Sequence, residues 1–85
     1  MPLDEATARR LAEQAVEMAG GTRHVHDNPR HPFAPQASRT FTLEGERVTV
    51  HFGEISSPAY VEVAGYVFEI LPDELRLLFS PPTTR

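Results

Sequence analysis

The sequence predicts an α+β domain in which helices cover one face of an antiparallel sheet, and three observations lead there. Apolar residues follow a helical period near the N-terminus, switch to a period of two from residue 39, and are separated by a proline-broken stretch in between. With 85 residues the chain can build one modest core, but not a second core or a deep enclosed cleft. We therefore expect a single domain over residues 1–80, a long loop at 21–38 within it, and a flexible tail at 81–85.

The first segment, LDEATARRLAEQAVEMAGG, sets Ala8, Leu11, Ala12, Ala15, Val16 and Ala19 on one helical face. Asp4 and Glu5 suit the positive end of the helix dipole, and Gly20 with Gly21 supplies the left-handed stop. Residues Arg9, Arg10, Glu13 and Glu17 fall elsewhere on the circumference, where charges spaced i, i+4 make a solvated face. Between 21 and 38, Pro29, Pro32 and Pro35 sit among Gly, Asn, Asp and Ser, which rules against a helix or a central strand. Loops of this length inside a compact domain tend to be functional or disordered.

RTFTLEGERVTVHF reads as a hairpin. A two-residue turn with Gly45 first and Glu46 second would set Glu44 opposite Arg47, Leu43 opposite Val48, Thr42 opposite Thr49 and Phe41 opposite Val50. AYVEVAGYVFEI reads as another, turning at Ala64 and Gly65, so that Val63 faces Tyr66, Val61 faces Phe68 and Ala59 faces Ile70. Together they predict a four-stranded antiparallel meander made of two hairpins. LPDELRLLF then suggests a short C-terminal helix, with Pro72 in its first turn and Leu75, Leu78 and Phe79 inward, closed by Pro81 and Pro82. Both helices would pack on one sheet face, because a sheet of this size must cover one of its faces.

Composition narrows the function. The formal charge of −4 argues against nucleic acid or an anionic membrane as a general electrostatic partner. The chain has no cysteine, so disulfides and thiolate chemistry are excluded, and all eight of its basic residues are arginine, which excludes a lysine base or Schiff base. No apolar run reaches the length of a membrane span, and MPLDEATARR lacks the apolar segment of a secretory signal, so the expected location is cytoplasmic.

Two constellations could carry chemistry. His24, His26, Asp27 and His31, within RHVHDNPRHP, have donors enough for zinc or another divalent ion, but Arg23 and Arg30 in the same segment oppose a cation. The spacing matches no metal-hydrolase motif, and a polar loop is the preferred reading. His51 with Ser56 and Ser57 has base and nucleophile types, yet no G-x-S-x-G elbow accompanies them. What remains is a non-enzymatic protein-binding module with no cofactor, an inhibitor or adaptor of the kind found in phage, toxin or defence loci. The alternative is a metal-binding protein or small metal-dependent enzyme using the histidine segment. The expected contact residues lie on the sheet face turned away from the helices: Arg47, Thr49, His51, Tyr60, Glu62 and Val67. A homodimer, through that face or edge to edge, is a further expectation.

Overall fold

A computed structural model describes residues 3–22, 25, 38–53 and 58–82. Helix α1 (Glu5–Met18) is followed by strands β1 (Ser38–Leu43), β2 (Glu46–His51), β3 (Tyr60–Val63), β4 (Tyr66–Ile70) and β5 (Leu75–Phe79). Each strand pairs antiparallel with its sequence neighbour, giving a five-stranded meander in the order β1-β2-β3-β4-β5 with α1 packed on one face.

The helix forms as its sequence demands. The Asp4 carboxylate caps it by accepting the Thr7 N–H at 2.8 Å. Gly20 and Gly21 then take φ of 113° and 92°, where a side chain would be strained. Ala8, Ala12, Ala15 and Ala19 line the buried stripe with Leu11 and Val16, so the helix backbone lies close to the sheet. Opposite it, Val48, Val50, Val61, Val63, Phe68 and Ile70 are essentially fully buried. Side chains of this kind contribute about 1.5–3 kcal/mol each on burial. The Tyr66 hydroxyl donates to the Leu3 carbonyl at 2.9 Å and ties the segment before the helix to β4.

The expected C-terminal helix is a strand. From Pro72 to Phe79 the expected helix has only about two turns, and nucleating so short a helix is unfavourable. The outer edge of β4, by contrast, presents backbone groups that need partners. The chain reverses at Pro72–Asp73, with the Leu71 N–H donating to the Glu74 carbonyl at 2.9 Å, and β5 pairs along that edge. Among the described residues α1 is therefore the helix that packs on the sheet, and the sheet has five strands instead of four.

The first hairpin also differs from expectation. Its turn is Glu44–Gly45, with φ of 52° and 81°, and Leu43 pairs with Glu46, Thr42 with Arg47, Phe41 with Val48 and Thr40 with Thr49. This is the double-positive geometry that matches strand twist, with glycine in second place. Glu44 tolerates its position and turns to the helix, where Arg10 grips its carboxylate in two contacts of 2.6 and 3.0 Å. The second hairpin has the expected turn at Ala64–Gly65 and the expected pairs Val63 with Tyr66 and Val61 with Phe68.

Thr22 and Val25, assigned by sequence to the loop, are helical, and Val25 is wholly buried. Its N–H donates to Gly21 and its carbonyl accepts the Gly53 N–H at 3.0 Å, so Val25 anchors the chain leaving α1 to the end of β2. His24, His26, Asp27 and His31 lie outside the described residues, as do Ser56 and Ser57.

Candidate functional site

Strand alternation and cross-strand register fix what the sheet face opposite α1 displays. One row across it runs Ser38, His51, Tyr60, Glu69, Arg76, and the next runs Thr40, Thr49, Glu62, Val67, Phe79. Thr42 and Arg47 form a third, shorter row beside the second hairpin turn. All six residues singled out from the sequence for partner contact, Arg47, Thr49, His51, Tyr60, Glu62 and Val67, thus share this face.

Within the first row, the His51 and Tyr60 rings stack with centroids 4.2 Å apart and planes 13° from parallel. Farther along it, Arg76 is hydrogen-bonded to the Glu69 carboxylate. His51 Nε2 sits 3.2 Å from Glu62 Oε1, close enough to become an ion pair when the ring is protonated. It makes no aligned hydrogen bond there, although the atom itself is buried. In the second row the hydroxyls of Thr40 and Thr49 lie 3.1 Å apart. The face is therefore locked by side-chain pairs along much of its width, which lowers the ordering entropy of any contact made with it.

Toward β5 the face becomes apolar. Phe79 is 67% exposed and Leu78 is 41% exposed, beside the half-buried Val67. The bulge in β5 between the Phe68 and Val67 pairings sets Leu78 out of register and leaves Phe79 opposite Val67 on the open face. Sequence reasoning missed Arg76, Leu78 and Phe79 because it turned this segment into a helix with Leu78 and Phe79 inward. The available signal was the i, i+2 pair Leu75 and Leu77.

A shallow depression of about 220 Å³ lies between the second turn and the face, lined by Arg47, Thr49, Glu62 and Val67 among others. Its charges of both signs and lack of depth suit contact with a surface better than enclosure of a small molecule. A second depression of about 210 Å³, between helix and β5, is ringed by Glu13, Glu17, Asp73 and Glu74 and concentrates negative charge away from the open face. Among the described residues no three His, Asp or Glu side chains converge in a way that could hold a metal ion, and no helix is long and apolar enough to cross a membrane.

The molecule thus belongs to the α+β class, with one sheet face covered by α1 and the other, among the described residues, open. Compared with family models, with curated proteins and with solved structures, the chain matches none.

Proposed function

We propose that this chain is a non-enzymatic protein-binding module, an inhibitor or adaptor that acts by occupying a partner through its open sheet face. The observation that carries the reading is the exposed apolar corner of Phe79, Leu78 and Val67, set beside the stacked His51–Tyr60 pair and the arginines Arg47 and Arg76. Aromatic and arginine anchors surrounded by smaller polar groups are the composition in which interface energy concentrates. On this face two arginines balance two glutamates, so a partner does not meet the net charge of the whole chain.

The test is capture from the native host with the parent chain and with Phe79→Ala, Tyr60→Ala and Arg47→Ala, followed by calorimetry on the recovered partner. Each variant should stay folded and weaken binding by about 1–3 kcal/mol. Equal recovery and affinity for all four proteins refutes use of the face. Turnover in a hydrolase screen with added Zn²⁺ or Mn²⁺ that disappears in His51→Ala refutes the non-enzymatic reading.

A further inference from the structure

The two edges of the sheet are not alike. In the β4–β5 ladder Arg76 points its backbone groups inward, following the Leu71–Glu74 bond, so Leu75 and Leu77 direct theirs outward. That edge is obstructed at two points: the Arg9 guanidinium, reaching across from α1, donates to the Leu75 carbonyl, and the bulge interrupts the strand at Leu78.

Among the described residues the β1 edge has neither device. Its two-residue turn makes Leu43 and Glu46 a hydrogen-bonded pair, so Leu43, Phe41 and Arg39 bond inward to β2. Ser38, Thr40 and Thr42 therefore aim their N–H and C=O groups away from the sheet, and all three residues are exposed. Among the described residues no strand lies outside β1.

We propose that this edge is a dimerisation surface for a second copy of the chain, the two β1 strands pairing antiparallel about a two-fold axis at Thr40. That register sets Thr40 against Thr40 of the other copy and Ser38 against Thr42 in both directions, so every outward backbone group over 38–42 meets a partner. It also sets Arg39 against Phe41 on the helix side, twice. Arg39 already rests over the Phe41 ring at 5.0 Å within one chain, so the dimer interleaves two cations with two rings and brings no like charges together. A two-fold centred on Arg39 would oppose two arginines, and one centred on Phe41 would leave Ser38 without a partner strand residue. Because β5 has a capped carbonyl and an interrupted strand, head-to-tail β1–β5 joining is disfavoured and growth stops at two copies. The interface is separate from the open face, which the dimer doubles in width, so it does not rest on the function proposed above.

Sedimentation velocity of the parent chain from micromolar to millimolar concentration should show a reversible monomer–dimer equilibrium. Over the same range, hydrogen exchange at the amides of Thr40 and Thr42 should slow by about tenfold or more, while the already bonded Phe41 and Leu43 amides change little. Thr40→Pro removes an outward N–H, together with the hydroxyl that faces Thr49, and is tolerated on an edge strand, and it should raise the dimer Kd by about a hundredfold. Arg39→Glu, which leaves the backbone ladder alone, should weaken the dimer by about tenfold and serves if the proline variant does not fold. Phe79→Ala should dimerise as the parent does. A parent that is monomeric throughout overturns the proposal without touching the face reading. So does a dimer that disperses in Phe79→Ala and persists in Thr40→Pro or Arg39→Glu, since the open face is then the contact.

Discussion

Gly45 and Gly65 hold the same place in the two hairpin turns, with φ of 81° and 90°, and they differ in what surrounds them. A Cβ at Gly45 would meet nothing within 4 Å, whereas one at Gly65 would lie 3.0 Å from the Cβ of Pro81, just beyond β5. Replacing either by alanine forces a side chain into left-handed backbone, at about 1–2 kcal/mol. Stiffening the unfolded chain returns about 0.4–1 kcal/mol, so Gly45→Ala should cost about 1 kcal/mol. Gly65→Ala adds displacement of Pro81. Overpacking in a core costs about 1–3 kcal/mol, and at the rim the low end applies, giving about 2 kcal/mol in all. For a domain of this size the extra 1 kcal/mol corresponds to about 4–8 °C in Tm. Denaturant titration and thermal melts of Gly45→Ala, Gly65→Ala, Pro81→Gly and the Gly65→Ala/Pro81→Gly pair measure it. The gap between the two glycine sites should close when Pro81 is glycine. Equal costs at the two sites, or a gap that survives Pro81→Gly, would refute the packing of Pro81 against the second hairpin turn.

Phe68 is wholly buried, with the Arg9 guanidinium 5.0 Å from its ring centre and Tyr66 stacked at 6.2 Å. Phe68→Ala should therefore cost about 3–5 kcal/mol in denaturant titration, and a loss near that of a surface change would contradict its place in the core. Hydrogen bonds from Thr7, its side chain and then its backbone N–H, hold the Asp4 carboxyl below its ordinary 3.8, and the Arg10 guanidinium holds Glu44 below its ordinary 4.5. Both carboxyls titrate lower in the folded chain than in the unfolded one, so their stabilisation is complete above those ordinary values and drains as pH falls through the lowered ones. The fall in denaturation midpoint with acid should be shallower in Asp4→Asn and Glu44→Gln, and unchanged slopes would remove both from the account. Zinc titration followed by calorimetry should give only weak, non-stoichiometric binding. A single sub-micromolar site lost in His24→Ala and His26→Ala would restore the metal reading of the histidine segment.

Where the sequence was legible, two signals agreed. Helix α1 had both a period and its terminators, and the second hairpin had Ala64–Gly65 exactly between matched apolar runs. The first hairpin shows the limit of alternation. The expected and observed registers differ by a slip of two residues, which keeps Phe41, Leu43, Val48 and Val50 on the same face either way. Parity could not separate them, and the attractive Glu44–Arg47 pairing favoured the wrong one. The deciding partner was Arg10, thirty-four positions away on the helix. For β5 the deciding fact was likewise distant: a five-residue run is ambiguous between helix and strand until the free edge of β4 is known. Of the contact face, the polar residues from β2 to β4 were readable from alternation, and the apolar corner on β5 was lost with that strand. Val25 escaped because its burial depends on a bond to Gly53, which no local pattern announces.

The order β1-β2-β3-β4-β5 also bears on how quickly the chain finds its structure. A sheet built only from sequence neighbours never asks a strand to wait for a distant partner. The turns at Glu44–Gly45, Ala64–Gly65 and Pro72–Asp73 close after two residues each, so three of the four strand pairings begin with the smallest loss of chain freedom available to a hairpin. Hairpins form in about 1–10 μs, and pairing can extend from any of the three. The slow encounter is the one that brings the alanine stripe of α1 down onto strands that follow it by some twenty to sixty residues. Until that docking, the valines of β2 and β3 face water, and the lifetime of this half-built sheet sets the chain's exposure to aggregation during synthesis.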